Sequence, residues 1–161
     1  MRTLRLIRHA KSSWKDPSLS DLERPLKNKG VKRASQLAQR LHSLPDTVFF
    51  SSPAKRALDT AKIIHRTCTP QSPLNIYSPL YTFCEHELLL AIQSFDERAH
   101  DCTDICVVAH NPALTLLTNH LCATNFENIS TAGYVVIQST SDCWGQLSAT
   151  NCQYQDHLFI R

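Results

Sequence analysis

Four short apolar runs frame this chain: 3–9, 47–51 (TVFFS), 104–109 (DICVVA) and 133–138 (GYVVIQ). Each has the length and the β-branched or aromatic content of a strand. Between them, apolar residues recur every three to four positions. Val31, Ala34, Leu37, Ala38 and Leu41 form one helical stripe; Ala54, Ala57, Leu58, Ala61 and Ile64 form a second. A third helix is expected over about 86–98, with Leu88, Leu89, Ile92 and Phe95. A fourth follows Pro112, with Leu114, Leu117 and Leu121 on one face. This alternation predicts an α/β fold, a three-layer αβα sandwich with a mainly parallel central sheet. The last third changes character. TAGYVVIQ, a turn near Ser141–Asp142, and then CWGQLSA predict an antiparallel C-terminal addition at one sheet edge. Residues 66–75 (RTCTPQSPLN) read as a plain loop. With 161 residues, no repeats and no low-complexity linker, one domain over 1–161 is expected.

Charge narrows the possible partners. Seventeen basic residues against fourteen acidic ones leave a net charge of +3, too little for a nucleic-acid-binding face. The N-terminal arm is locally basic (Arg2, Arg5, Arg8, Lys11, Lys15), which suits a small anion better. No apolar run approaches the roughly 20 residues that span a bilayer, and Met1–Ile7 is too short and polar for a signal peptide. A cytoplasmic location without membrane or nucleic-acid partners is expected, and a monomer, because no apolar seam stands out. Seven cysteines include no CxxC pair. His65 with Cys68 and Cys102 with Cys106 are the nearest approaches to metal half-sites, and their spacing does not favour one. Neither a metal nor another cofactor is expected.

Two junctions share one design. Ser52 precedes Pro53, and Asn111 precedes Pro112. Ser and Asn are good N-caps and Pro suits the first helical position, so each helix should start where its strand stops. Ligands of open parallel sheets sit beyond the carboxyl ends of the strands. Three such ends carry unusual residues: Arg8 and His9, then Ser51 and Ser52 leading to Arg56, then His110. Each alone is unremarkable. Together, two imidazoles and two guanidiniums make a pocket for an oxyanion. Arginine matches phosphate with a planar fork of donors. A neutral imidazole can attack phosphorus, and a second, protonated one can stabilise the transition state. The arginines would take the part that a metal plays elsewhere.

RHAKSSW, LERPLKNKG, SSPAKRALDTA and VVAHNP, in this order, resemble the motifs of the histidine phosphatase superfamily, which shares the phosphoglycerate mutase-like fold. The short chain and the RHAKSSW form resemble the SixA-type phosphohistidine phosphatases. The resemblance runs from residue 4 to about 120. It implies a metal-independent phosphatase with His9 as nucleophile, Arg8 and Arg56 as phosphate clamps, and His110 as second pocket histidine. The wider family usually has glycine after the first histidine; here Ala10 stands there, harmless where the backbone needs no positive φ. Trp14 either flanks the cleft or packs its loop down, and packing is favoured because a large aromatic contributes chiefly through buried area. Asp21 and Arg24 either order the loop at the pocket mouth or form a turn leading into Pro25.

An alkyl phosphate ester needs a carboxylic acid to protonate its leaving oxygen. Glu85 and Glu87, in CEHELLL, are the candidates, and both also read as first-turn helix acids. Phosphohistidine needs less help, since its leaving group is an imidazole. Short strand-to-helix connections leave no room for a lid, and an open cleft suits a phosphate carried on another protein. The expectation is therefore a phosphohistidine phosphatase acting in signalling on a phosphorelay or phosphocarrier protein through a covalent phosphohistidine intermediate. The alternative is a general small-molecule phosphomonoesterase. A non-catalytic phosphate-binding adaptor would not need all four pocket residues, and a thiol- or zinc-based regulator rests on the cysteine count alone.

Overall fold

The computed structural model describes residues 1–99 and 101–161. Six strands form one sheet: β1 (Arg2–Arg8), β2 (Val48–Ser51), β3 (Leu74–Ile76), β4 (Asp104–Ala109), β5 (Tyr134–Ser139) and β6 (Cys152–Leu158). Their order is β3-β2-β4-β1-β5-β6. The β3, β2, β4 and β1 neighbours run parallel, while β5 and β6 add on antiparallel. The central β4 is apolar throughout its buried length, as a strand covered on both faces must be.

Four helices cover the sheet: α1 (Asn28–Leu41), α2 (Lys55–Cys68), α3 (Glu85–Gln93) and α4 (Ala113–Cys122). Period-two alternation divides the strand side chains between the two faces. Ile7, Phe49, Cys106 and Val108 pack with Leu37, Ala57 and Ile64 of α1 and α2. Leu4, Leu6, Ile105 and Val107 pack with Leu88, Ile92, Leu114 and Leu117 of α3 and α4. The three layers follow from these two apolar clusters.

The structure corrects the sequence reading in four places. Residues 66–75 are not a plain loop: α2 continues to Cys68, and β3 begins at Leu74. The second antiparallel strand is not CWGQLSA but Cys152–Leu158. Trp144 instead sits in a 3-10 turn, buried, with its indole N–H donating to the Cys102 carbonyl. The α1 stripe is rotated: Gly30 is buried and Val31 is 43% exposed. Gly30 is buried because α1 lies directly on the loop after β1, where a Cβ would overlap the Lys11 carbonyl oxygen. Finally, the connection from β1 to α1 is long, spanning residues 9–27. It is pinned by backbone bonds from Ser13 to Pro25 (2.8 Å) and from Lys27 to Lys11 (2.8 Å).

Candidate functional site

Strand register builds the site. Arg8 pairs with Ala109 and Ser51 with Val108. Three adjacent strands therefore end level, and the next residues, His9, His110 and Ser52, emerge side by side. The His9 N–H donates to Ala109 O (3.1 Å) and the Ser52 N–H to Val108 O (3.0 Å), extending the ladder to the rim. The rings of His9 and His110 lie 5.3 Å apart.

The caps differ from expectation. α2 begins at Lys55 and α4 at Ala113, with Ala54 and Pro112 at the cap positions, so Ser52 and Asn111 lie ahead of the caps. Both side chains still serve the turns. Ser52 Oγ accepts from the Ala54 N–H and lies 2.8 Å from His110 Nε2. Asn111 Oδ1 accepts from the Thr115 N–H.

His9 Nδ1 lies 2.7 Å from the Ala10 carbonyl oxygen. A carbonyl only accepts, so Nδ1 carries the proton and a neutral ring keeps its lone pair on Nε2. Burial pushes the His9 imidazole down to about 4, helped by the charges of Arg56 and Arg8. His110 is fully buried, and burial, then its neighbour His9, hold it at about 3. Both rings are neutral at pH 7. The protonated second histidine expected from the sequence is thus not the resting form; a dianion beside it would draw a proton onto it. Tyr81 and Phe83 enclose the His110 ring, each 5.5 Å away. Ala10 adopts no positive φ. Its N–H donates to Thr60 Oγ1 (2.9 Å), and the Thr60 hydroxyl donates to Arg56 O (2.7 Å).

The two arginines are only partly satisfied. Arg8 Nη1 donates to Asn128 Oδ1 (3.2 Å) and Ile129 O (2.8 Å). Arg56 is 2% exposed, and its Nη1 and Nη2 donate to Asp21 O (2.6 Å) and Oδ2 (2.9 Å). Among the described residues, Arg8 Nε, Arg56 Nε and His110 Nδ1 are buried without a hydrogen-bond partner. Unpaired buried polar groups are rare because each forfeits its hydration. Three within one constellation mark a place where an external acceptor fits.

Sequence reasoning left Asp21 and Arg24 open; the structure puts both in the site. Asp21 Oδ2 also accepts from the Tyr81 hydroxyl (2.6 Å), and Oδ1 from Arg24 Nη1 (3.0 Å). Burial alone would raise this carboxyl, but the bonds from Tyr81, Arg56 and Arg24 outweigh it and hold it at about 2. Arg24 also donates to Ser12 Oγ and stacks 3.3 Å from the centre of the Trp14 ring. Trp14 does not pack down as expected: it is 73% exposed and borders the cleft. The guanidinium covers one indole face and solvent meets the other.

The resulting cleft has a volume of about 540 Å³. Five cations line it, Arg8, Lys11, Arg24, Lys27 and Arg56, against one carboxylate, Asp21. His9, Asn111, Phe83 and Thr131 complete its wall. Glu85 and Glu87, the candidate acids, do not line it. Glu87 accepts from the Thr82 hydroxyl (2.6 Å) at the start of α3, where an acid complements the helix dipole. Thr60, Tyr81 and Asn128, all missed in the sequence, act through partners more than twenty positions away, which local patterns do not show.

A neutral imidazole pair flanked by underpaired guanidiniums, at the carboxyl rim of a parallel sheet, presents the donors that an oxyanion would need on an α/β fold. Residues 4–77 match the family model of the histidine phosphatase superfamily, branch 1. An uncharacterized chloroplastic protein of Arabidopsis thaliana is 46% identical over 63 residues, a match covering 38% of this chain and 29% of that protein. The chain thus spans well under two thirds of this curated relative. Solved structures are similar along the whole chain. A protein assigned as the phosphohistidine phosphatase SixA of Nakamurella multipartitia superposes with a TM-score of 0.81 at 21% identity, covering 98% of this chain and 95% of that one. The protein histidine phosphatase SixA complexed with tungstate gives 0.72 at 16% identity, covering 97% and 96%. A mycobacterial glucosyl-3-phosphoglycerate phosphatase gives 0.68 at 12% identity, covering 96% of each chain. At these identities the likeness is one of fold.

Proposed function

We propose that this protein is a phosphohistidine phosphatase that acts on a histidine-phosphorylated protein domain and uses His9 as nucleophile. One observation carries the reading: His9 lines a cationic cleft with Arg8 and Arg56, the buried His110 ring lies 5.3 Å behind it, and three of these four residues hold a buried nitrogen without a partner among the described residues. A phosphoryl group supplies the missing acceptors. His9 Nε2 attacks phosphorus, and the P–N bond of a substrate ring already protonated at its other nitrogen breaks, its electron pair passing to the departing neutral imidazole. Water then attacks phospho-His9 and releases inorganic phosphate and free His9. Arg8 and Arg56 neutralise the equatorial oxygens in both steps. His110, neutral at rest, shares or takes up a proton as the dianion binds.

The cleft suits a phosphoramidate better than an ester. Among its described lining residues the carboxylate is Asp21, and at about 2 it stays ionised and cannot give a proton to a leaving alkoxide. A phosphoramidate leaves as an imidazole and needs no such acid. The sugar-phosphate-type phosphatase that shares the fold supports the second reading, a small-molecule phosphomonoesterase. Free thiols on all seven cysteines suit a reducing, cytoplasmic setting, and among the described residues no helix is long and apolar enough to cross a membrane.

The decisive experiment compares phosphate release from a histidine-phosphorylated protein and from a sugar phosphate, and traps the enzyme's acid-labile phosphate. Preference for the phosphoprotein and a label on His9 are expected. Faster turnover of the sugar phosphate favours the second reading. His9→Ala should reduce turnover below detection while retaining tungstate binding; undiminished turnover removes His9 from the mechanism.

A further inference from the structure

A second groove adjoins the cleft. It runs between Ser13–Lys15 and Pro25–Asn28 and measures about 530 Å³. Trp14 and Lys27 line both hollows, so the groove continues outward from where the phosphoryl group would sit. We infer that this groove docks an acidic polypeptide segment of the phosphorylated partner, beside its phosphorylated side chain; the inference rests on the phosphoprotein reading above.

Three observations support it. First, the groove is preformed. Ser12 and Leu26 make an antiparallel bridge beneath it, and the Ser13 N–H donates to Pro25 O (2.8 Å). Second, its central aromatic is held in place while facing water. Arg24 is fixed by Asp21, Ser12 and Ser13, and it stacks on one face of Trp14. An exposed tryptophan that is already ordered gives large contact area for little entropy loss, the property of interface anchors. Third, the charges are one-sided. Lys15 and Lys27 are exposed, and among the described residues neither makes an ion pair. The acids on the same loop are engaged there: Asp16 accepts from the Ser18 N–H and hydroxyl, and Glu23 from the Ser20 N–H. α1 starts at the groove floor with no acid in its first turn, so its dipole adds to the positive field. Such a field selects an acidic partner and speeds its encounter.

The test uses Lys15→Glu combined with Asn28→Glu. Both positions are exposed and line only the groove, and an acid at the first position of α1 favours the helix. At physiological ionic strength, kcat/KM for a histidine-phosphorylated protein with acidic flanks should fall about tenfold or more, and less so in high salt. Turnover of N-phosphoimidazole should stay within about twofold, because the phosphate cleft is intact. Separately, an unphosphorylated Glu/Asp-rich peptide should change Trp14 fluorescence in the unmodified enzyme and not in the double variant; Trp144 is buried and gives a constant background. Unchanged phosphoprotein kcat/KM in the variant, or an equal fall with both substrates, overturns the groove while leaving the catalytic reading intact. A fluorescence response to an oligonucleotide with none to the peptide also overturns it. Failure of the unmodified enzyme on every phosphoprotein, with good turnover of N-phosphoimidazole, instead overturns the substrate reading.

Discussion

Arg5 and Arg8 stand three residues apart on β1, yet they live in opposite electrostatic worlds. Arg5 donates through Nε and Nη2 to the two oxygens of Asp104 (2.7 Å each) and through Nη1 to the Tyr134 hydroxyl. Burial alone would lower its guanidinium, but Asp104 outweighs burial and raises it. Arg8 has no carboxylate partner among the described residues, and burial lowers it. An odd offset of three sends the two side chains to opposite sheet faces. One pair is complete and structural. The other charge is left uncompensated among the described residues, and under the proposed function the phosphoryl group is its counter-ion. Function here is marked by incomplete pairing, not by the number of charges.

Substitutions can break this contrast. Arg8→Ala should lower kcat/KM by about 10²–10³-fold, the usual cost of losing one transition-state donor, with thermal stability nearly unchanged. Steady-state kinetics beside thermal unfolding would show it, and a large loss of stability would make Arg8 structural. Arg5→Ala should do the reverse. It leaves Asp104 half-buried without its cation and costs about 2–3 kcal/mol, seen in denaturant unfolding, while kcat holds within about threefold.

Asp21→Asn should lower kcat/KM about tenfold, since Arg56 loses its orienting charge. It carries a pH signature too. Asp21 is depressed from 3.8 to about 2, so its stabilising effect is present above pH 3.8 and lost as pH falls through 2. The Asn variant should lack that part of the acid transition. The histidines report at milder pH. Both lie below their ordinary 6.5, at about 4 and about 3. The unfolded chain therefore binds protons first, and stability should decline as pH drops from about 6.5 towards 3. His110→Gln should flatten the decline, and tungstate, which favours charged imidazoles, should offset it. The smallest effect is expected from Glu87→Gln: kcat within about twofold, because Glu87 lies outside the cleft. A large loss there would revive the ester reading.

Much of this contrast was legible in the sequence, for reasons that mark its reach. β4 and β1 announce themselves because fully covered strands must be apolar, and their ends place Arg8, His9 and His110 at one rim. The basic N-terminal arm misled. Arg2 shares a face with Arg8 but lies six residues away, roughly 20 Å at 3.3 Å per residue, and binds the Cys102 and Asp142 carbonyls. Asp21 could not be assigned, because its pairing with Arg56 joins loop to helix across 35 positions. Trp14 and Trp144 were indistinguishable as large aromatics; one stacks on a guanidinium in solvent and the other is sealed under a turn. β6 was misplaced because its exposed polar residues hide the weak inward alternation of Cys152 and Tyr154.

Gly30 carries no chemistry, yet the arm that borders the cleft rests against it. Its bare α-carbon lets the first helix rest on the backbone of Lys11, and the segment from there to Lys27 supplies Ser12, Trp14, Asp21 and Arg24. Any bulk at position 30 would act as a wedge, tilting that whole arm away from His9. The stance of that arm thus depends on the absence of a single methyl group.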